Sequence, residues 1–379
     1  MNFLALRMLI GDRAKYLGLI FSIAFASFLI SQQASIFIGL MSRTTSQVQD
    51  VVDADIWVMD KQTQYADEVR AFSDNELFRV RDVPGIQWAV RLFKGMATTR
   101  SEDGKFRQVI LMGVDDATLV GAPRTMLAGQ LTDLRRPDAI VIDRAGYEFF
   151  FPHEPFRLGR TMEMNDHRAV IVGMCEASPP FATFPVVFTR YSQAVNYIGQ
   201  ERDQLSFVLA KPAAGVSVQE ACARIEQFTD LKAMSGREFG SQTIGYYLKN
   251  TGIPVNFGIT IAVALIVGSV VAGQTFYIFT LENLKQFGAL KAIGVTDYRL
   301  VGMILLQALV VAAVGYAIGM GLSATFFEVT LHRTATRGII MLWPTMVATG
   351  CIIFAIVILA SLLSIRKVLV LEPAIVFRS

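Results

Sequence analysis

Residues 250–281 read NTGIPVNFGITIAVALIVGSVVAGQTFYIFTL and contain no Asp, Glu, Lys or Arg. A helix of about 20 apolar residues is long enough to cross the hydrocarbon core of a bilayer. Backbone amides find no water there, so a segment of this length must satisfy its own hydrogen bonds as a helix. Residues 16–42, 300–327 and 338–365 are also free of charged residues. The sequence therefore predicts four transmembrane helices.

The overall composition is that of a membrane protein. Of the 379 residues, 53% are hydrophobic and 18% are charged, and the mean hydropathy is +0.44. This is too apolar for an ordinary soluble chain of this size. Buried core helices are the alternative, but they rarely run so long without a charge. A cleavable signal peptide at 16–42 is disfavoured, because the stretch is too long and lacks a small-residue cleavage site before Arg43.

The basic residues that flank the predicted helices set their orientation, because Lys and Arg in short flanking segments are retained in the cytoplasm. Nine of them lie on one side of the membrane: Arg7, Arg13, Lys15, Lys285, Lys291, Arg299, Arg366, Lys367 and Arg378. The short loop 328–337 on the other side carries only Arg333 and Arg337. Both termini are therefore expected in the cytoplasm, and residues 43–249 are expected outside it.

The remaining segments follow from this topology. Residues 1–15 are a basic amphipathic segment expected at the cytoplasmic membrane surface. Residues 282–299 connect two predicted helices in the cytoplasm, and 366–379 form a cytoplasmic tail. The outer region 43–249 holds 24 basic and 27 acidic residues, a net charge of −3. The basic isoelectric point of the chain thus reflects its topology and not nucleic-acid binding.

The outer region alternates strand formers, short helices and turns, which is typical of an α+β domain. Strands are predicted at 54–59, 86–100, 106–113, 139–142, 169–174, 185–189 and 206–210, with a hairpin turn at 101–104. One helix is predicted from an Asp74 cap to Asp82, and another at 217–228 with a Ser217 cap. The stretch 116–203 is predicted to be an inserted subdomain.

Cysteine use leaves one question open. Cys175 and Cys222 share the outer region, whereas Cys351 lies in a predicted transmembrane helix. The first two either form a disulfide or remain as two buried thiols.

The chain lacks the motifs of an enzyme or an ion-driven carrier. It contains no G-x-x-x-x-G-K-[ST] phosphate loop, so it has no usual nucleotide site of its own. Its three His residues are scattered without metal-ligand spacing, and no Ser, His and Asp set is recognisable. The predicted helices contain no Asp, Glu, Lys, Arg or His of the kind that marks ion pathways. No catalytic residue, cofactor or metal is expected on this chain.

Polar and small residues in the predicted helices indicate helix–helix packing. Gln274 and Gln307 are expected to bond to neighbouring helices, with a substrate path as the alternative. Gly315 and Gly319 form a small-xxx-small pair that permits close approach of two helices. That contact lies either within one chain or between two copies.

Residues 281–300 read LENLKQFGALKAIGVTDYRL. Leu284, Phe287 and Leu290 recur every three residues and predict a short helix with a narrow, exposed apolar stripe. Such a helix is poorly stable alone, so it is expected to dock against another protein. Packing against the membrane or its neighbours is the alternative.

The ends of this short helix are also marked. Gly294 predicts its C-terminal stop, and Thr296 predicts the cap of the next helix. Lys285 and Lys291 lie off the apolar stripe.

The same stretch resembles the signature E-x-x-x-x-[FY]-[GA]-x-L-[KR]-A-[IL/M]-G of the FtsX and MacB superfamily of ABC transporter permeases. The matching residues are Glu282, Phe287, Gly288, Leu290, Lys291, Ala292 and Gly294. The order of segments is similar as well, ending in LEPAIVFRS at 371–379. DADIWVMD at 53–60, RDVPGI at 81–86 and PDAIVIDRAGYEFF at 137–150 look most like the DevC branch.

The resemblance implies a homodimeric permease, in which a separate ATPase subunit binds ATP and Mg²⁺. Nucleotide cycling would then move the outer domain, a mode called mechanotransmission. The residues expected to couple the two subunits are Glu282, Leu284, Lys285, Phe287, Leu290, Lys291 and Gly294. Further implied partners are a membrane-fusion adaptor, a TolC-type outer-membrane protein and membrane lipids, with the chain in a cell inner membrane and its large domain in the periplasm.

Export of a lipid, glycolipid or other envelope or efflux substrate is the expected function. The first alternative is a signalling permease similar to FtsX, which activates a periplasmic partner without transport. The second is a lipoprotein-release permease. An outer domain of about 200 residues favours export, since FtsX outer domains are smaller; no sequence feature identifies the substrate.

Overall fold

The computed structural model describes residues 2–11, 13–100, 104, 106–199, 204–330 and 337–369. The predicted turn residues 101–103, the basic residues Arg333 and Arg378, and the LEPAIVFRS tail lie outside the described residues. The chain divides into two compact units: Leu40–Thr251, called here the domain, and Met1–Gly39 with Gly252–Ser379, called here the membrane unit.

The helices are, in chain order, α1 (Asn2–Gly11), α2 (Arg13–Arg43), α3 (Ser46–Asp50), α4 (Asn75–Arg81), α5 (Arg144–Phe150), α6 (Tyr191–Ile198), α7 (Val218–Phe228), α8 (Gly236–Asn250), α9 (Ile253–Glu282), α10 (Leu284–Ala292), α11 (Asp297–Thr330) and α12 (Trp343–Leu369). The strands are β1 (Ile56–Asp60), β2 (Phe72–Ser73), β3 (Ile86–Arg100), β4 (Phe106–Val114), β5 (Thr125–Ala128), β6 (Ala139–Asp143), β7 (Thr161–Met164), β8 (His167–Glu176), β9 (Val186–Arg190), β10 (Gln204–Leu205), β11 (Phe207–Pro212) and β12 (Leu231–Ser235). A 3₁₀ helix spans Leu131–Arg135.

Four helices are long and apolar enough to cross a membrane. They are Tyr16–Arg43 within α2, Ile253–Glu282, Asp297–Thr330 and Trp343–Leu362 within α12. An α+β domain lies between the first and the second of them in the chain. The predicted fold class, four transmembrane helices with one large domain after the first, is confirmed. The exact limits of each segment at the membrane stay a prediction.

Small residues let the helices of the membrane unit approach one another closely. A Cβ atom added at Gly268 of α9 would lie 2.7 Å from the Cβ of Ala26 on α2. The α11 and α12 helices are joined by a hydrogen bond in which the Tyr316 hydroxyl donates to the carbonyl of Met346 (3.0 Å). Apolar side chains from α2, α9, α11 and α12 form one shared core, as expected for helices that pack by van der Waals contact in lipid.

The domain is built on one mixed sheet of ten strands. The strand order is β12-β1-β11-β3-β4-β9-β6-β8-β5, and β7 pairs with both β3 and β8. Two pairings, β4 with β9 and β6 with β8, are parallel. Residues 116–203, predicted to be an inserted subdomain, supply β5 to β9 and join the same sheet through the pairing of β4 with β9.

Alternate residues of the strands build two cores on opposite faces of the sheet, because successive side chains of a strand point in opposite directions. Ile56 and Val58 of β1 belong to one core, and Trp57 and Met59 belong to the other. Side chains of α4, α5, α6 and α7 cover the first face. Side chains of α3 and α8 cover the second.

The strand predictions are confirmed in position. The predicted hairpin strands 86–100 and 106–113 are observed as β3 and β4, paired from Phe93 with Gly113 to Arg100 with Phe106. The Ser217 cap is confirmed, since its side chain accepts a hydrogen bond from the backbone N–H of Glu220 (3.2 Å). Asp74 stands at the N-cap of α4 without a side-chain cap bond, and its carboxylate instead pairs with Arg91 (2.7 Å).

The sequence reasoning missed α8, although its signal is present. The Ser235 side chain accepts from the backbone N–H of Glu238, and the Glu238 carboxylate accepts from that of Ser235. This reciprocal pair is a capping box, which the spacing of Ser and Glu encodes. Cys175 and Cys222 are both buried and form no disulfide, so they are the two separate thiols of the second interpretation.

Candidate functional site

The stretch that carries the permease signature, residues 281–300, folds as an elbow between α9 and α11, and it contains α10. The predicted stop at Gly294 is confirmed by its positive φ of 95°, which favours glycine. The backbone N–H of Val295 donates to the carbonyl of Leu290 (3.1 Å), and that of Gly294 donates to the carbonyl of Lys291 (3.0 Å). These two bonds are a Schellman motif, which satisfies the last carbonyls of α10 and fixes the turn.

Phe287, the centre of the predicted apolar stripe, is buried within the chain. Its side chain has 0% exposure and packs in a core with Ala5 of α1 and with Leu300, Met303 and Ile304 of α11. The prediction that this stripe is exposed is therefore wrong for Phe287. A period of three residues identifies an apolar face, but it does not say whether a neighbouring helix of the same chain covers that face.

The exposed apolar side chains of the elbow lie at its tip. Ile293 is 81% exposed and Tyr298 is 91% exposed, and both flank the Gly294 turn. Lys291 forms an ion pair with Asp297 across this turn (3.0 Å). Exposed apolar side chains that lie on one turn can form a patch that contacts another protein or the membrane. Sequence reasoning missed both residues, although their position beside the glycine stop was a usable signal.

The other predicted coupling residues lie along the same elbow, from the end of α9 through α10. Glu282 and Lys285 are exposed, and Leu284 and Leu290 are half-buried. Leu290 packs against the same core as Phe287. The structure therefore brings these residues together on one elbow, with Phe287 as its anchor.

The amphipathic segment α1 is attached to α11 by a buried amide. The side-chain Nε2 of Gln307 donates to the carbonyl of Ala5 (2.7 Å), and Gln307 is 1% exposed. The predicted interhelical bond of Gln307 is thus confirmed. With Phe287 in the same core, α1, α10 and α11 form one packed group.

The α11 helix also packs tightly against α2 of the same chain. A Cβ atom at Gly319 would lie 2.4 Å from the carbonyl oxygen of Ala24, and one at Gly315 would lie 2.7 Å from the side chain of Ile23. The hydroxyls of Ser31 and Ser323 share a buried hydrogen bond (2.6 Å). The close approach at Gly315 and Gly319 is therefore a contact within one chain.

A buried lysine ties the first residues of the domain to its sheet. The Nζ of Lys94 on β3 donates to Gln47 Oε1 of α3 (3.2 Å), to the carbonyl of Ala66 (2.9 Å) and to Asp67 Oδ1 (2.6 Å). Burial lowers the pKa of Lys94, and the Asp67 carboxylate opposes that shift. Because α3 begins three residues after α2 ends, this network connects the chain that leaves the first transmembrane helix to the centre of the sheet.

Two family models match nearly the whole chain. The model described as FtsX-like permease C-terminal matches residues 258–373, which include the elbow. The model described as MacB-like periplasmic core domain matches residues 17–228, more than half of the chain. The chain belongs to the FtsX and MacB family of ABC transporter permeases.

Curated relatives of this permease carry the same description. An uncharacterized ABC transporter permease of Mycobacterium tuberculosis is 25% identical over 311 residues, which cover 81% of this chain and 79% of the relative. An uncharacterized ABC transporter permease of Mycobacterium bovis is 26% identical over 226 residues, which cover 58% of each. The matched region thus spans 58% of the length of the latter relative.

Two solved structures resemble the domain of the permease. The periplasmic region of MacB from Actinobacillus actinomycetemcomitans has 13% identity and a TM-score of 0.40, covering 54% of this chain and 96% of that one. The extracellular domain of the noncanonic ABC-type transporter YknZ from Gram-positive bacteria has 12% identity and a TM-score of 0.37, covering 48% and 98%.

One face of the permease's α9 is exposed in the described part of the chain. Val255, Ile259, Val263, Ile266 and Val270 are all more than half exposed along this face. Gln274 continues it and is exposed. No hydrogen bond engages the Gln274 side chain among the residues that the structure describes. An amide within a membrane helix is stabilised by a hydrogen-bond partner on another helix, and the interhelical bond predicted for Gln274 stays a prediction.

Proposed function

We propose that this chain is the permease subunit of an ABC exporter and that a separate ATPase subunit, which binds ATP and Mg²⁺, drives it through the elbow between α9 and α11. The observation that carries this proposal is the paired arrangement of a buried anchor, Phe287, and an exposed tip, Ile293 and Tyr298. The anchor holds the elbow to the membrane unit. The tip presents apolar surface to a partner.

The tip has the properties of a contact with another protein. An apolar and an aromatic side chain are exposed on the two sides of the Gly294 turn, and aromatic side chains such as Tyr often dominate the binding energy of protein interfaces. At the other end of α10, Glu282 and Lys285 supply exposed charges that can orient a partner. On this basis Leu284, Leu290, Lys291 and Gly294 belong to the coupling site as supports of the tip.

Movement of the tip would reach the membrane helices through close packing. Phe287 is enclosed by α1 and α11, and the Gln307 bond joins those two helices. Packed interiors are nearly incompressible, so a displaced elbow carries its neighbours with it. In the domain, the Lys94 network gives a second rigid joint, beside the residues that follow α2. Together these joints support mechanotransmission from nucleotide cycling to the domain.

The outward face of α9 supports a homodimer. Gln274 makes no side-chain hydrogen bond to the described residues of its own chain, and a second copy would offer an identical amide, which can both donate and accept. Two α9 helices related by a two-fold axis would also cover the exposed Val and Ile residues of this face.

The wider assembly follows the family resemblance. The count of basic residues supports cytoplasmic termini and a periplasmic domain in an inner membrane. The likeness of three segments to the DevC branch supports a lipid, glycolipid or other envelope substrate, with a membrane-fusion adaptor and a TolC-type outer-membrane protein as further partners.

The coupling site can be tested by replacing Ile293 and Tyr298 with Asp in one variant. The full chain would be purified in mild detergent, and the bound ABC ATPase would be identified and its ATP hydrolysis measured. We expect the variant to lose the ATPase while keeping the wild-type melting temperature, because both side chains are exposed. Phe106→Asp with Phe149→Asp, two exposed aromatics of the domain, is the matched control and should keep the ATPase. An Ile293→Asp, Tyr298→Asp variant with wild-type ATPase binding and hydrolysis would refute the proposed site.

A further inference from the structure

The domain contains an open, basic groove beside α8, with a volume of about 820 Å³. Eleven residues line it, all of them described by the structure, and none of the eleven is acidic. Four of them are cationic: Lys61, Arg70, Lys232 and Lys249. The remaining side chains are mostly amides and hydroxyls, which together with the four cations can donate hydrogen bonds to an anion.

The shape of the groove is held by contacts within the domain. Gln242 of α8 donates through its Nε2 to the carbonyls of Gln64 (2.8 Å) and Thr63 (3.2 Å). The ring of Tyr65 stacks on that of Tyr246, with centroids 4.2 Å apart. These contacts fix the loop after β1 against α8, so the groove exists before any ligand binds.

The cations of the groove are only partly neutralised. Two of them have carboxylate partners: Lys61 pairs with Asp230, and Arg70 pairs with Glu68. Among the described residues no ion pair engages Lys232 or Lys249; Lys232 donates to the neutral side chain of Gln242. The groove with its two paired carboxylates thus has a net charge of +2.

One lining residue of the groove is close in sequence to a transmembrane helix. Lys249 is four residues before Ile253, where α9 begins. Four residues of chain span at most about 14 Å. A long Lys side chain that flanks a transmembrane helix can extend its charge toward lipid headgroups.

We propose that this groove binds the phosphate group of an anionic lipid headgroup. The lipid would lie in the membrane that the four helices cross, on the side where the domain lies. Lys232 and Lys249 would donate to the phosphate oxygens, and the groove's amides and hydroxyls would donate to the polar part of the headgroup. The inference goes beyond the proposed function, because it requires neither transport nor an ATPase. A free phosphate offers the same oxygens, so the test must separate the two sources.

The test uses the full chain in a neutral detergent, titrated with soluble dihexanoyl-phosphatidylglycerol, with dihexanoyl-phosphatidylcholine and with inorganic phosphate. Binding is measured by isothermal titration calorimetry. The groove variant carries Lys232→Gln and Lys249→Gln. The matched control carries Arg168→Gln and Arg237→Gln, which removes the same charge from exposed positions elsewhere on the domain.

Wild-type chain should bind phosphatidylglycerol at one site, more tightly than either other ligand. The groove variant should bind it about 10-fold more weakly, since each lost cation weakens attraction to an anionic headgroup several-fold. The control should bind as the wild type does. Inorganic phosphate that binds as tightly as the lipid would overturn the lipid assignment. The site itself would be overturned if the groove variant bound phosphatidylglycerol as tightly as the wild type. It would also be overturned if the control variant lost as much affinity as the groove variant.

Discussion

The transmembrane helices α9 and α11 are similarly apolar, yet they use their polar and small residues in opposite ways. On α11, Gln307 is buried and bonds to α1, and Gly319 packs against the backbone of α2. On α9, Gln274 is exposed without a bond among the described residues, and a Cβ atom at Gly258 would meet nothing within 4 Å. The polar and small residues of α11 thus pack against helices of the same chain, whereas α9 leaves an exposed face that another chain or lipid can contact.

The α10 helix between them repeats this contrast within a few residues. Phe287 points inward to α1 and α11, and Ile293 points outward. The compared residues have similar chemistry: Gln307 and Gln274 are both amides, and Phe287 and Ile293 are both apolar. Their burial differs. We therefore expect the buried residues to control stability and the exposed residues to control contacts with other chains.

The largest effect is expected for Phe287→Ala. Removing a fully buried aromatic side chain costs about 3–5 kcal/mol of unfolding free energy, because it leaves a cavity between α10, α1 and α11. Ile293→Ala should change the free energy of unfolding by less than about 0.5 kcal/mol, since removing an exposed side chain leaves no cavity. Equilibrium unfolding of the full chain in mixed micelles compares the two. Similar values for both variants would show that Phe287 is not the anchor.

A smaller effect is expected for Gly319→Ala. The new methyl group would overlap the Ala24 carbonyl, which cannot move without shifting α2, and overpacking of this kind costs about 1–3 kcal/mol. Gly258→Ala is the matched change on α9 and should be neutral or slightly stabilising, since Ala is the better helix former. Thermal unfolding in detergent measures both. Loss of stability in Gly258→Ala alone would reverse the comparison.

The smallest effect is expected for Gln307→Leu, which removes the one buried side-chain hydrogen bond that Gln307 donates to the Ala5 carbonyl. The cost should be about 1–2 kcal/mol of unfolding free energy. Gln274→Leu should leave the stability of the single chain unchanged and shift the chain from dimer to monomer. Unfolding and analytical ultracentrifugation in detergent report the two properties separately. A destabilised monomer in Gln274→Leu would mean that this amide serves its own chain.

Much of this architecture could be predicted from the sequence, because it depends on local patterns. Runs without charge predicted the four transmembrane helices, strand-forming residues on both sides of an Asp-Gly turn predicted the hairpin, and Gly294 predicted the end of α10. The positions of Gln274 and Gln307 could not be distinguished, because both are single amides in apolar helices. Their difference depends on which helix of the folded chain lies opposite, and that is a tertiary property.

The candidate sites, too, could be predicted from the sequence only as far as they depend on local patterns. The coupling motif located the elbow, but it placed Phe287 on the surface, since a periodic stripe does not identify what covers it. The basic groove was not predicted at all. Its cations come from three separate stretches, around 61–70, at Lys232 and at Lys249, and only the packing of α8 against the loop brings them together.

The claim that α9 faces a second copy is tested most directly by cysteine cross-linking in native membranes. The chain would carry Val270→Cys, one turn from Gln274 on the same face, in a Cys351→Ser background, because Cys351 is itself exposed, and a mild oxidant would be added. The account predicts a covalent dimer from this variant and only monomer from Leu322→Cys, an exposed position on α11. A dimer from Leu322→Cys with none from Val270→Cys would contradict it.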